Sequence, residues 1–185
     1  MLQLPIDFPE IKSSRIHVMG APGSGVTTLG RQLAEQLGYA HFDTDDYHWF
    51  TSDPEPYRRR RNPEHRRQLL TADLSSTPQW VLSGSLCGWG DCFIPLFDTI
   101  IFCTAPVDIR LERIRQRELA RYGEDRLSPG GDLHGVYTKF LQWSADYDLP
   151  SERLRTFVFE MDWVKKVNNI PVWLNDNSVW RLYTP

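Results

Sequence analysis

Short apolar runs and longer amphipathic segments alternate along the chain. The short runs have the length and apolar content of strands, whereas the longer segments repeat apolar residues at helical spacing. Strands are predicted at 15–19, 39–43, 79–83, 99–103 and 171–174. A helix is predicted after the glycine-rich segment, with Leu29, Leu33 and Leu37 on one face and a stop at Gly38, and further helices at 63–74, 107–122, 134–147 and 152–168. This alternation predicts an α/β fold, a parallel sheet with helices on both faces.

The length of the chain suits one domain with a sizeable core. It has 185 residues, of which 41% are hydrophobic, and it shows no internal repeat, low-complexity tract or interdomain linker. We therefore expect a single domain over 1–185. Two loops are expected within it, one rich in aromatic residues and prolines over 45–62, and one with Pro-Gly-Gly over 124–133.

Composition argues against several classes of protein. A formal net charge of −3 is unusual for a general nucleic-acid binder, and no apolar run is long enough to cross a membrane. We expect no nucleic-acid or membrane partner, a cytoplasmic location, and a monomer or homodimer. Cys87, Cys92 and Cys103 lack the spacing of a zinc site or a disulfide framework, so they are expected to be small buried hydrophobic residues.

Residues 20–28 carry the strongest chemical signal. They read Gly-Ala-Pro-Gly-Ser-Gly-Val-Thr-Thr, and Gly20, Gly25 and Thr27 fall on the fixed positions of the phosphate-loop pattern G-x-x-x-x-G-K-[ST]. The segment lies between a predicted strand and a predicted helix, where glycines let backbone N–H groups converge on phosphate and the helix N-terminus adds partial positive charge. An ordinary glycine-rich turn is the alternative interpretation.

The loop predicts binding of ATP or GTP together with Mg²⁺. Thr27 is expected to bring its hydroxyl to the magnesium ion that bridges the outer phosphates. The predicted nucleotide-binding residues are Gly20, Gly23, Ser24, Gly25, Val26, Thr27 and Thr28.

Val26 occupies the position at which the pattern requires lysine. A loop lysine places a point charge on the β- and γ-phosphates, so its loss removes transition-state stabilisation and leaves the backbone cradle intact. None of the four lysines lies in a segment that the sequence places beside the loop. Any replacement charge must therefore come from one of the seventeen arginines.

These features resemble the small P-loop kinases, the group of nucleoside monophosphate, shikimate and gluconate kinases. The resemblance extends from residue 15 to about residue 174 and implies a three-layer fold with a five-stranded parallel sheet in the order 2-3-1-4-5 and a small lid. More narrowly, the segments 26–30, 42–47 and 82–90 are similar to uncharacterised bacterial P-loop proteins that share the valine.

The acidic residues after the second strand match the D-x-D of shikimate-type kinases. By that resemblance, Asp43 belongs to the magnesium shell together with Thr27, and Asp45 contacts the acceptor hydroxyl as a catalytic residue. The chemistry agrees, because a carboxylate near Mg²⁺ is stabilised and one beside a hydroxyl can take its proton. Asp also caps helices and forms turns, which is the alternative, and Asp46 is a weaker candidate.

The segment 45–75 is the acceptor-binding region that the resemblance implies. Its four consecutive arginines suit an anionic acceptor, and we select Arg58 and Arg61 as substrate-binding residues, although such a run is also typical of a solvated face. Ser85 and Trp89 follow the third strand, where shikimate kinases have a glycine-rich acceptor loop. Both are predicted to line the acceptor pocket, with simple packing of Trp89 as the alternative.

Arg117 and Arg121 stand at the entrance to a predicted lid over 121–134. In the family that they resemble, lid arginines close over the phosphates, and such a charge could replace the missing lysine. Both are therefore predicted catalytic residues. Glu112 and Glu118 on the same helix favour a different interpretation, an exposed helix with surface ion pairs.

Two hypotheses follow for the whole chain. The first is a kinase that transfers the ATP γ-phosphate to a small-molecule acceptor with Mg²⁺. The second is a nucleotide-binding regulatory protein whose degenerate loop has lost turnover. Thr27 and the D-x-D favour the kinase, and Val26 favours the regulatory protein.

Overall fold

A six-stranded sheet forms the centre of the computed structural model, which describes residues 13–50, 59–150, 155–167, 170–177 and 179–183. The strands are β1 (Arg15–Gly20), β2 (Ala40–Asp43), β3 (Trp80–Ser83), β4 (Thr99–Thr104), β5 (Val172–Asp176) and β6 (Val179–Tyr183). Their order in the sheet is β2-β3-β1-β4-β5-β6. Strands β1 to β5 are all parallel to one another, and β6 runs antiparallel to β5.

Helices pack on both faces of the sheet, as the alternation of segments predicts. The α-helices are α1 (Val26–Leu37), α2 (Thr44–His48), α3 (Pro63–Ser76), α4 (Val107–Tyr122), α5 (Glu124–Leu127), α6 (His134–Ala145) and α7 (Phe157–Val164). Short 3-10 helices occupy Asp91–Leu96 and Asp146–Asp148. Among the described residues, no helix combines the length and the apolar character needed to cross a membrane.

Alternation of side chains along the strands divides the core into two layers. Ile16 and Val18 of β1 point to the face that α1 covers with Leu33 and Ala34. Met19 points to the opposite face, where buried residues of α3 and α7 meet the sheet. Because the central strands are buried on both sides, their sequences are almost continuously apolar.

The parallel register brings the ends of three strands to one edge of the sheet. Val18 pairs with Ser83, and Ser83 pairs with Asp43 on its other side. The loop after β1, the acidic residues after β2 and the turn after β3 therefore open at the same edge. Ligands of open α/β sheets bind at this edge.

The predicted strand order 2-3-1-4-5 is confirmed, but the predicted count of five strands is wrong. The sixth strand forms a hairpin with β5 around Asn177, whose φ of 46° lies in the left-handed region. The edge position of β6 explains why its pattern is weak, because Val179 and Leu182 remain about half exposed and no buried face imposes an apolar alternation.

Several element bounds also differ from the predictions. The 45–62 segment was expected to be a loop, yet α2 begins directly after β2, with the Asp43 side chain accepting a hydrogen bond from the Asp45 amide at 3.0 Å. The final helix spans only Phe157–Val164 within the predicted 152–168, and Thr156 caps it. The 124–133 loop contains the short helix α5.

Candidate phosphate-binding site

Two glycines of the loop between β1 and α1 lie where the backbone leaves no room for a side chain. At Gly20 the φ angle is 140°, and a Cβ there would lie 2.1 Å from the carbonyl oxygen of Cys103. At Gly23 the φ angle is 79°, and a Cβ would lie 2.5 Å from the carbonyl oxygen of Arg110. Both glycines are therefore required by close backbone approach, and they fix the loop against β4 and α4.

The inner side of the loop is open where phosphate would enter. Gly25 has a φ of 96° and caps α1, and a Cβ at this position would meet no atom within 4 Å. Ser24 closes the preceding turn, since its hydroxyl donates to the carbonyl of Ala21 at 2.8 Å. Val26, Thr27 and Thr28 form the first turn of α1, where backbone N–H groups have no intrahelical acceptor. The residues present therefore fit the phosphates of a nucleotide.

The Val26 side chain belongs to the apolar layer under α1. It is partly buried and packs against the cluster that contains Ile16, Val18 and Leu33. The position that holds a cation in the loop pattern is used here for packing. The loop retains its backbone donors and lacks the charge normally supplied by its own lysine.

Thr27 and Asp43 meet at the mouth of the loop. The Thr27 hydroxyl donates to Oδ2 of Asp43 at 2.9 Å, and Oδ1 of Asp43 accepts the hydrogen bond that caps α2. Magnesium takes oxygen ligands, so a hydroxyl and a carboxylate placed together beside a phosphate cradle fit its coordination shell. Capping and the predicted metal role are compatible, because they use different oxygens of the carboxylate.

Asp45 and Asp46 lie in the first turn of α2, at the same edge. Desolvation by the surrounding protein and the nearby Asp43 carboxylate both raise the pKa of Asp45, and the positive charge of Arg155 opposes this rise. Desolvation and Asp43 also raise the pKa of Asp46. The structure thus gathers the D-x-D and the loop that the sequence placed together.

The predicted acceptor residues fall into different environments. Arg61 caps the end of α2, where its guanidinium donates to the carbonyls of Asp46 at 2.6 Å, of Tyr47 at 3.1 Å and of Trp49. This is a structural task that a substrate would have to displace. Arg58 lies outside the described residues.

Ser85 and Trp89 form a closed turn after β3. The Trp89 indole donates to the Ser85 carbonyl at 3.2 Å, and the ring is 6% exposed within the core. The Ser85 hydroxyl oxygen accepts a hydrogen bond from the Cys87 amide at 3.4 Å. The packing alternative therefore describes Trp89 well, and Ser85 keeps partial exposure at the edge of the sheet.

Arginines surround His48 at the far end of α2. Burial, together with the nearby charges of Arg66, Arg60 and Arg155, lowers the pKa of His48 to about 4. Arg66 lies over the Trp89 ring at 5.8 Å from its centre, and Arg60 over that of Trp49 at 5.2 Å. Arginines thus place positive charge around the C-terminal end of α2.

Arg117 and Arg121 form ion pairs along α4. Nη2 of Arg117 lies 2.7 Å from Oε1 of Glu118, and Nη1 of Arg121 lies 3.8 Å from the same oxygen. Glu118 is 8% exposed, so it anchors both arginines at the base of the predicted lid. Their role over the phosphates stays a prediction, because it requires them to leave these pairs.

Arg155 is a site residue that the sequence analysis missed. Its Nη2 donates to the carbonyl of Gly20, the first residue of the loop, at 3.4 Å, and its Nε donates to Glu160 at 3.1 Å. Glu160 is fully buried and also accepts a hydrogen bond from the Tyr147 hydroxyl. The guanidinium lies 5.3 Å from the centre of the Trp143 ring. These contacts hold one arginine at the mouth of the loop.

The charge of Arg155 is secure despite its enclosure. Desolvation lowers its pKa, but the Glu160 carboxylate and the Tyr147 hydroxyl outweigh that effect and raise the pKa above the ordinary value. The side chain keeps 36% exposure, so part of it remains accessible. The only sequence signals for it are the Thr156 helix cap and Glu160, which show neither the loop contact nor the charge placement.

Comparison with known proteins finds a relative that matches over most of its length. No family model matches the chain. The Bacillus subtilis protein described as "Uncharacterized protein YqaC" is 40% identical over 149 residues, which cover 80% of this chain and 81% of YqaC. The cytidylate kinase of Pyrococcus furiosus is 30% identical over 112 residues, which cover 56% of this chain and 57% of that enzyme.

The solved structures give the same fold. The shikimate kinase of Bacteroides thetaiotaomicron superposes with a TM-score of 0.50 at 17% identity, covering 90% of this chain and 88% of that enzyme. At this level of identity the similarity concerns the arrangement of strands and helices.

Proposed function

The chain belongs to a small P-loop kinase-like family that includes the Bacillus subtilis protein YqaC, and on that premise we propose that it transfers the γ-phosphate of ATP to a small acceptor. The observation that carries the proposal is the hydrogen bond between Thr27 and Asp43 at the open mouth of the glycine loop. A protein that only binds nucleotide does not need a carboxylate at this place. A phosphotransferase needs one for its metal ion.

The loop backbone supplies the binding of the nucleotide. Amides of Gly25, Val26, Thr27 and Thr28 at the start of α1 would contact the phosphates, and the positive end of α1 adds to their attraction. Thr27 and Asp43 would hold Mg²⁺, which neutralises charge on the outer phosphates when it is bound. GTP satisfies the same backbone contacts, since they do not read the base.

Asp45 is the proposed base for the acceptor. It takes the proton of the acceptor hydroxyl as that oxygen bonds to the γ-phosphorus of ATP, and the bond from phosphorus to the β,γ-bridging oxygen breaks to release ADP. Its place in the first turn of α2, two residues after Asp43, supports this assignment. The positive surroundings of His48 support an acceptor with an anionic group.

A catalytically impaired nucleotide-binding regulator is the second candidate. The burial of Val26 against the core favours it, because the loop position that normally carries charge cannot do so. Under this alternative the cradle binds nucleotide, and no acceptor is phosphorylated.

A metabolite screen separates the two candidates. Thermal unfolding is measured with each metabolite alone and with MgATP, because a ligand of the folded state raises the apparent stability. Each hit is then tested for acceptor-dependent formation of ADP. We expect at least one phosphorylated acceptor, and a loss of about 100-fold or more in turnover for Asp45→Asn.

The matched control is Asp162→Asn, which removes an exposed carboxylate on α7 that pairs with Lys165 at 2.8 Å. It should leave turnover unchanged. Stabilisation by ATP without ADP formation for any acceptor would reject the kinase and favour the regulator.

A further inference from the structure

A phosphate loop without its lysine needs a positive charge from elsewhere if it is to accept two outer phosphates. We propose that Arg155 supplies this charge, contacting the β- and γ-phosphates of the nucleotide in place of the missing lysine. The inference rests on the proposed function for its catalytic part, whereas its binding part requires only that nucleotide occupies the loop.

The position of Arg155 is the first argument. Its Nη2 reaches the carbonyl oxygen of Gly20 at 3.4 Å, across 135 positions of sequence. Gly20 ends β1 and begins the loop, so the guanidinium lies beside the backbone that would surround the phosphates. An arginine presents donors in a planar fork, and a phosphate with two accessible oxygens matches that fork.

The way in which Arg155 is held is the second argument. Its Nε is bound by the buried Glu160 at 3.1 Å, and its carbonyl accepts a hydrogen bond from the Trp143 indole at 3.2 Å. The Tyr147 hydroxyl in turn donates to Glu160. A donor fixed in this way needs little reorganisation when charge develops on the phosphates, which is the condition for strong electrostatic stabilisation.

Other arginines among the described residues have different contacts. Arg61 caps the end of α2. Arg117 and Arg121 pair with Glu118 on α4. Arg110 is fully buried, and donates to the carbonyls of Ala105 and Ser144 beneath the loop.

The test removes the guanidinium of Arg155 and then introduces a positive charge at position 26, where the loop pattern has its lysine. Affinities for AMP, ADP and ATP with Mg²⁺ are measured by calorimetry for the wild type, Arg155→Met and the double variant Val26→Lys/Arg155→Met. We expect Arg155→Met to weaken ATP and ADP binding about tenfold and AMP binding little, because AMP lacks the outer phosphates. The double variant should recover most of that loss. Turnover in Arg155→Met should fall about 100-fold, the usual cost of one preorganised donor.

Two further variants keep the result interpretable. Arg115→Met removes an exposed arginine of α4 that pairs with Glu112 at 3.9 Å, and it should change no affinity. Arg155→Met/Glu160→Gln removes the carboxylate that would otherwise stay buried without its cation, while the glutamine carbonyl can still accept from Tyr147. Near-UV circular dichroism reports the fold of each variant. Arg155→Met/Glu160→Gln should show the same selective loss of ATP and ADP binding as Arg155→Met.

The outcomes divide clearly. Wild-type affinity for ATP in folded Arg155→Met or in its Glu160→Gln double variant would overturn the inference, as would a change confined to the KM of the acceptor. Selective loss of ATP and ADP binding in a protein without any turnover would support Arg155 as the loop cation and reject the proposed kinase.

Discussion

The two sides of the phosphate site are built in different ways. The cradle consists of consecutive residues between β1 and α1, fixed by glycines that touch the backbone of β4 and α4. The cationic side consists of Arg155, held by Glu160 and Tyr147 and brought to the loop by the fold as a whole. The shape of the proposed site is thus encoded by consecutive residues, whereas its proposed charge depends on tertiary structure. We therefore expect substitutions in the cradle and at Arg155 to have different effects.

The largest expected effect is a loss of stability when a side chain is added at the close backbone contact of the cradle. Gly20→Ala places a Cβ 2.1 Å from the Cys103 carbonyl oxygen, at a φ of 140° that alanine resists. We expect a loss of about 4 kcal/mol in the free energy of unfolding, as overpacking and backbone strain add. Urea denaturation measures it. Gly135→Ala in α6, where a Cβ meets nothing within 4 Å, is the control and should be neutral or stabilising. Equal effects of the two changes would contradict the close packing of the loop.

A buried histidine under the cradle should make stability depend on pH. His17 is fully buried in β1, stacked on Phe97, and burial lowers its pKa to about 4. In the unfolded chain a histidine has its ordinary pKa of 6.5, so between pH 4 and pH 6.5 the unfolded chain binds more protons than the folded one. The stability is therefore complete above pH 6.5 and falls as the pH drops toward 4. The expected loss over this range is about 3 kcal/mol.

His17→Asn tests that dependence, because asparagine can still donate to the Leu82 carbonyl and does not titrate. Urea denaturation at pH 7 and pH 5 should show a smaller pH effect in the variant, although the variant is less stable at pH 7. Identical pH effects in both proteins would show that His17 is protonated at no cost.

A side chain at the mouth of the cradle should prevent ATP binding while the protein still folds. The Cβ of Gly25→Val would meet no protein atom within 4 Å, so the added side chain would occupy the space proposed for phosphate. We expect loss of ATP binding of about 100-fold, or about 2.7 kcal/mol, together with some strain from the φ of 96°. Calorimetry with ATP measures the first and urea denaturation the second. Unchanged ATP affinity would exclude this loop as the phosphate site.

The smallest expected effect concerns the metal side of the cradle. Asp43→Asn should weaken nucleotide binding in the presence of Mg²⁺ by about tenfold, or about 1.4 kcal/mol. Without the metal it should change binding little, because asparagine still caps α2 and contacts Thr27. Titrations with and without EDTA distinguish the two cases. Equal losses in both would indicate a structural role for Asp43.

The sequence predicted those parts of the molecule that depend on neighbouring residues. The glycine spacing placed Gly20 and Gly23 where the backbone requires them, and the resemblance supplied the order of five strands. The sequence did not indicate β6, because an edge strand with exposed side chains has little apolar pattern. It also missed α2, because a short helix is set mainly by the Asp43 cap.

The functional assignment of arginines was less predictable, because an arginine looks alike in sequence whether it caps, pairs or binds. Arg61 was predicted to bind substrate from its place in a basic run, and this stays a prediction, while the structure shows it at the end of α2. Arg155 gave no such signal, since its contact with Gly20 spans most of the chain. Neither assignment could be made before the strands had brought these segments together.

The long separation between Gly20 and Arg155 has a consequence for synthesis. Ribosomes make a chain from its N-terminus at about 5–20 residues per second, so the 135 residues between them take roughly 7 to 27 seconds to produce. During that interval the nascent chain contains the glycine loop without the arginine that reaches it. Tight capture of nucleotide is therefore expected to begin only when Arg155 has left the ribosome.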